Sequence, residues 1–455
     1  MSRPKSNSKN RYAVVRVIAM IALICLIGRL FYIQIIKHSK YEQIAVSQQT
    51  QDIAIEAKRG TITDRDGNIL AISATAYKVV MAPKLIDSED LREKICDGLS
   101  SALSEDRDKI YEMTLKNVQS VEVVRRVEKD IADKVSDFIS EDKDYAAIIT
   151  VTEDPKRYYP NGNTLSTVLG LVGADNQGLE GLEYLYDDYL TGTAGKLVAT
   201  KTSIGTSMPF SYERQVDPKD GCTVELTVDL KMQAMLESEI NNARVEHNVQ
   251  NRIAGVIMDV NTGEILAMTS KPDFDPNENY VINDELTLEA LATEFEVGSS
   301  EYYKAYNEKF AEYKKNKCLE AYEPGSTFKI FTASMALEEN LVSLEETFFC
   351  SGHLDIGPTR VNCHKRTGHG SEHLKEGLAN SCNPVFMTLG MRIGQEKFYD
   401  YLTVFGLRDK TGVGLPGEQT GYHHSLKTMT TLDLAESAFG QTFKITPMQL
   451  ISGVC

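Results

Sequence analysis

A chain of 455 residues is roughly three times a typical single domain, and with 42% hydrophobic and 25% charged residues it is neither a disordered polar chain nor a multi-span membrane protein. Its net charge of −16 repels phosphate backbones and argues against nucleic acid as a partner. Eight cysteines spread over this length exclude a disulfide scaffold, so any chemistry they do is local.

The first sixteen residues carry Arg3, Lys5, Lys9, Arg11 and Arg16 and no acid. The apolar run that follows, 17–36, is long enough to cross ~30 Å of hydrocarbon at ~1.5 Å per residue. It predicts a cytoplasmic tail over 1–16, one transmembrane helix over 17–36, and a single-pass protein of the cytoplasmic membrane with its bulk outside. A cleaved signal peptide is the alternative, but the nearest small-residue pair, Ala45 and Ser47, lies far past the run. Arg29 and Gln34 read as snorkelling to the outer interface, or as meeting a polar group of a partner membrane protein. The next stretch, 37–245, reads as an α+β domain with a charged helical part over 89–116. Its Asp66-Gly67 turn, between two short apolar-containing arms, predicts a hairpin over 59–71. Helical spacing over 226–243 leads into a second domain, 246–455, which opens with a hairpin over 254–268. Residues 278–317 read as a surface excursion with one helix.

Ser-x-x-Lys occurs four times, at Ser2, Ser6, Ser140 and Ser326, which is what chance gives for common residues. Only Ser326 follows Glu323-Pro324-Gly325 and opens an apolar helical stretch, 328–337. At i and i+3 the Lys329 amine reaches the Ser326 hydroxyl, and apolar surroundings would disfavour its charged form and make it a base. The plain alternative is a capping serine with an exposed lysine. Further along, Ser381-Cys382-Asn383-Pro384 follows a short helical approach over 374–379. A Ser/Lys pair, a second serine able to relay a proton and an asparagine able to hold a substrate amide form an acyl-transfer set.

With these motifs in order, the chain resembles a class B penicillin-binding protein, a peptidoglycan D,D-transpeptidase, along its whole length. The resemblance rests on the anchor, Arg59-Gly60 through Leu70-Ala71, Arg157-Tyr158-Tyr159-Pro160, Gly178-Leu179-Glu180-Gly181-Leu182-Glu183, the 259–267 segment, Tyr322 through Lys329, and Leu415-Pro416-Gly417-Glu418. It implies an α+β architecture: an elongated pedestal (dimerisation-type) domain and a transpeptidase domain of the penicillin-binding and serine β-lactamase type, with helices on an antiparallel sheet. It implies Ser326 as the acylated nucleophile, Lys329 as its base, Ser381 as proton relay and Asn383 as substrate ligand, with no cofactor needed for acyl transfer. The implied donor is a stem peptide ending in D-Ala-D-Ala, which β-lactams resemble, and the implied neighbour is a multi-spanning glycan polymerase with division or elongation proteins. The family's third motif, Lys-Thr-Gly, follows the segment seen here as Gly440-Gln441-Thr442 and Thr446-Pro447, whereas this sequence reaches Cys455 without it. The transpeptidase domain is therefore expected to be truncated and inefficient alone. Lys410-Thr411-Gly412 precedes Leu415-Pro416-Gly417-Glu418 and is expected to be a decoy. Thr442 stands where the family usually has Gly.

Cys350, Cys363, His369 and Cys382 fall within a short span, and three thiolates with one imidazole form a tetrahedral zinc set. A Cys350–Cys363 disulfide and three unconnected thiols are the alternatives. The resemblance extends to elongation-type members with a metal site near the second motif, whose spacing Cys363, His369 and Cys382 follow. Two other functions stay open at this point: a membrane-bound β-lactam receptor or β-lactamase using the same Ser326 and Lys329, and a non-catalytic cell-wall scaffold.

Overall fold

A computed structural model describes residues 8–38, 50–200, 214–249, 251–278 and 280–455. Arg3, Lys5, Ala45 and Ser47 lie outside them. The first helix, Ser8–Phe31, runs into a π-helical turn, Tyr32–Ile36. Its segment Val15–Ile36 has a mean hydropathy of 2.2, and in length and composition it could cross a membrane. Arg29 and Lys37 both face the Tyr32 ring, at 5.7 and 5.8 Å from its centroid, an aromatic and cationic grouping suited to a bilayer interface.

The chain divides into two compact units, each built from discontinuous segments: 1–57, 75–155 and 193–219 in one, and 58–74, 156–192 and 220–455 in the other. Both mix helices with largely antiparallel strands, as the α+β reading expects. In the first unit the apolar strand Tyr77–Met81 lies between Val121–Val127 and Ile149–Glu153, antiparallel to both. The charged stretch over 89–116 is two helices, Glu89–Leu103 and Arg107–Thr114. Ser104, in a left-handed conformation, ends the first, and the Asp106 carboxylate caps the second. Ile95, Leu99 and Ile110 from these helices bury against Val79 and Met81.

In the second unit the expected hairpin forms between Ile62–Thr63 and Ile69–Ala74, with Lys156–Tyr158 beside it. The motifs around residues 59, 157 and 183 meet in one buried ionic cluster. Glu183 Oε2 accepts from Arg59 Nε at 2.6 Å, and its Oε1 accepts from Arg157 Nε at 2.7 Å. Arg157 Nη1 donates to the Gly60 carbonyl at 2.7 Å. Removing one partner of such a cluster leaves a buried charge and typically costs about 3–5 kcal/mol, so these motifs serve the framework.

The hairpin Ile253–Met258 and Ile265–Lys271 packs on the helix Leu230–Glu246. Buried Gln233 fixes that contact, accepting from Met268 N–H at 2.8 Å and donating to the Met268 carbonyl at 3.0 Å. The excursion over 278–317 holds two helices, Glu285–Glu294 and Ser300–Lys314, where the sequence suggested one. Gly298 at φ +93° turns the chain between them and Ser299 caps the second. A core with Phe328, Phe331, Met335, Phe386, Leu389, Phe398 and Phe443 fully or almost fully buried supports the helices Lys329–Glu338 and Asn383–Ile393.

Candidate active site

Ser326 lies in a 3-10 turn, Gly325–Phe328, that feeds the helix Lys329–Glu338. Gly325 takes φ +58°, and its N–H donates to the Gly440 carbonyl at 2.8 Å. The turn thus leans directly on backbone from the Gly440-Gln441-Thr442 segment.

The second motif forms where two helices meet. Leu374–Ala379 ends with Ser381 N–H donating to the Leu378 carbonyl at 3.0 Å and Cys382 N–H to the Gly377 carbonyl at 2.8 Å. This is a Schellman closure, in which the residue after the cap sits in the left-handed region and is usually glycine. Here that residue is Ser381, at φ +51°. Strain held at this position presents its hydroxyl to Ser326. Asn383 then starts the next helix, Asn383–Ile393, with Pro384 in its first turn.

Four side chains converge. Ser381 Oγ donates to Ser326 Oγ at 2.8 Å. Lys329 Nζ donates to Ser381 Oγ and Asn383 Oδ1 at 2.8 Å each, to the Ser381 carbonyl at 2.7 Å and to Ser326 Oγ at 3.2 Å. An ammonium has three protons for these four oxygens, and the Ser326 contact is the longest. Asn383 Nδ2 donates to the Asn362 carbonyl at 3.2 Å, which fixes the amide's orientation. The lysine is fully buried, with the Phe386 and Phe439 rings 5.6 and 5.9 Å from its nitrogen. Burial pushes its pKa down to about 8, against the opposing pull of the Cys363 and Cys382 sulfurs.

The structure therefore brings together all four residues of the acyl-transfer set. Lys410-Thr411-Gly412 does not join them through any of these bonds: Thr411 donates from its N–H and its hydroxyl to Glu418 Oε1, at 2.7 and 2.5 Å. Thr442 takes φ +66°, so the family's usual glycine has a backbone reason. Nothing in the sequence marked Gly440 as the support of the Ser326 turn.

Behind the second motif the ligand atoms of Cys350, Cys363, His369 and Cys382 all lie within 4.8 Å of one another. The three thiols are buried and unbridged, and Cys363 Sγ is 3.7 Å from His369 Nδ1, a normal edge of a tetrahedral sulfur and nitrogen site. The exposed His364 offers Nδ1 at 3.8 Å from the same sulfur. Burial first, then the Glu372 carboxylate and Cys350, raise the Cys382 pKa well above that of an ordinary thiol. The donor set fits zinc.

The fold and site define a transpeptidase-type unit joined to an α+β partner. Comparison with known proteins agrees. Residues 253–454 match the penicillin binding protein transpeptidase domain, and 54–226 match the penicillin-binding protein dimerisation domain. Stage V sporulation protein D of Bacillus subtilis (strain 168) is 34% identical over 447 residues, covering 98% of this chain and 64% of that protein. Peptidoglycan D,D-transpeptidase FtsI of Escherichia coli (strain K12) is 27% identical, covering 97% of this chain and 69% of that protein. The chain thus spans about two thirds of the length of these curated relatives. The fold also matches the penicillin-binding protein in the Helicobacter pylori PBP2–MreC complex, with a TM-score of 0.68 at 22% identity over 88% of this chain and 76% of that one. This chain belongs to the class B penicillin-binding proteins.

Proposed function

We propose that this protein is a peptidoglycan D,D-transpeptidase anchored by its first helix in the cytoplasmic membrane, N-terminus inside. The carrying observation is the contact of Ser326, Lys329, Ser381 and Asn383 described above. Ser326 Oγ attacks the penultimate carbonyl of a stem peptide ending in D-Ala-D-Ala, and its N–H supplies one oxyanion donor. The Ser326 proton passes to neutral Lys329, directly or through Ser381 Oγ, and then to the departing D-Ala amine. An amine from a neighbouring strand takes the acyl group and forms the cross-link. Asn383 holds the donor amide. β-Lactams acylate the same serine, and a multi-spanning glycan polymerase with division or elongation proteins is the proposed membrane neighbour. Full-length protein given a D-Ala-D-Ala pentapeptide and an acceptor amine should release D-Ala and form the new amide. Release by hydrolysis alone, with rapid penicillin turnover, would mark a β-lactamase instead.

Ser381 separates stability from activity. Ser381→Gly relieves the left-handed strain, ~1–2 kcal/mol, but loses the hydroxyl's hydrogen bonds, ~1 kcal/mol each. Unfolding free energy should stay within about 1 kcal/mol of wild type while acylation falls by 10²–10⁴. Denaturant unfolding and penicillin-labelling kinetics check this; parallel loss of both would mean that the serine is only structural.

The cysteine cluster is proposed as a structural zinc site that holds Cys382, and so its neighbours Ser381 and Asn383, from behind. Protein purified without chelator should carry about one zinc per chain, lost in Cys363→Ser or His369→Ala with a lower melting temperature. Metal analysis finding none, with Cys350 and Cys363 recovered as cystine, would favour the disulfide.

A further inference from the structure

Glu372 is a carboxylate without an evident task in an apolar interior. Its side chain is 3% exposed. Oε2 accepts from Asn380 Nδ2 at 3.1 Å, but Oε1 is buried with no hydrogen-bond partner. An unpaired buried carboxylate oxygen is costly and needs an explanation.

Its surroundings supply one. Oε1 lies 3.9 Å from His369 Nδ1, the nitrogen that also faces Cys363 Sγ at 3.7 Å. The Cys382 side chain lies beside the same carboxylate. The strand Gly370–His373 pairs with Thr347–Cys350 so that Cys350 opposes Gly370 and Phe348 opposes Glu372, which puts Cys350 and Glu372 on one face. Oε1 therefore borders the space that the three sulfurs and the imidazole surround. The other oxygen holds Asn380, the cap residue of Leu374–Ala379 and the immediate neighbour of Ser381.

We propose that Glu372 is a positioning residue joining the metal centre to the catalytic turn. Oε1 sets its negative charge against the shell of ligands around the metal, while Oε2 holds Asn380 and, through it, the left-handed Ser381. This rests on the zinc reading of the cysteine cluster. A packing role would need only the shape of the side chain, which glutamine retains.

The test uses full-length protein as wild type, Glu372→Gln, Glu372→Asp and Asn380→Ala. Zinc affinity is read by competition with a chromogenic chelator, and the site's geometry by the absorption bands of bound Co²⁺. Glu372→Gln should weaken zinc about 10–100-fold and shift the cobalt bands. Asn380→Ala should leave zinc affinity unchanged and slow penicillin acylation about tenfold, since it cuts only the link to the catalytic turn. Wild-type zinc affinity and unshifted bands in Glu372→Gln would overturn the proposal, as would unchanged acylation in Asn380→Ala. Should Glu372→Gln fail to fold, Glu372→Asp decides: it keeps the charge but loses the reach of one methylene, so weaker zinc and shifted bands are expected, and unchanged values overturn the proposal. A wild type that binds no cobalt would overturn the zinc reading and this one together; cobalt bound identically by wild type and Glu372→Gln would overturn this one alone.

Discussion

Lys329→Ala is expected to slow acylation by penicillin by 10²–10⁴ without abolishing it. The amine is the proposed base, and its removal leaves Ser326, Ser381 and the backbone donors in place. The pH profile of wild type identifies the same group. Burial holds the lysine at about 8, so below that pH the ammonium predominates and has no lone pair to accept a proton. The acylation rate should therefore rise with pH through about 8 and level off above it, while the residual rate of Lys329→Ala should not follow that curve. Stopped-flow labelling across pH 6–10 makes the comparison. A flat wild-type profile, or a Lys329→Ala rate within a few-fold of wild type, would remove the lysine from this role.

Gly440→Ala is expected to be among the most damaging single methyl additions in the chain. A Cβ at Gly440 would stand 1.9 Å from the Gly325 carbonyl oxygen and 2.7 Å from its nitrogen, both backbone atoms that have no side-chain torsion to yield. Its φ of +88° adds strain of its own. Gly325→Ala is the control, since Gly325 also has a left-handed φ, +58°, but its Cβ meets nothing within 4 Å. Gly325→Ala should cost ~1–2 kcal/mol, the conformational part alone, and Gly440→Ala more than about 3 kcal/mol together with loss of acylation. Denaturant unfolding of both variants measures the difference. Equal destabilisation would mean that the contact between the two loops is not what holds the nucleophile turn.

The two motifs of the proposed active site were legible in the sequence for local reasons. Ser326 and Lys329 are three residues apart at the start of one apolar helix, and Ser381 and Asn383 follow a helix, Leu374–Ala379, whose expected and observed limits agree. That the lysine amine touches both motifs is a tertiary fact that no local pattern records. That each compact unit is assembled from discontinuous segments was not legible. Ile72 pairs with Tyr158, and Val224 with Ile62, across separations that no local pattern records. The second helix of the 278–317 excursion was missed because its tyrosines and lysines read as solvated surface, whereas Phe310 and Tyr313 bury against Phe274 and Leu291. Glu372 gave no signal at all, because its neighbours His369, Asn380 and Cys382 assemble around it only after the strand and the helix have formed.

The central claim is that Ser326 is the residue acylated. Full-length protein exposed briefly to benzylpenicillin, digested and analysed by mass spectrometry should carry one penicilloyl adduct, on the peptide containing Ser326, and Ser326→Ala should carry none. An adduct on another residue, or undiminished labelling of Ser326→Ala, would contradict it.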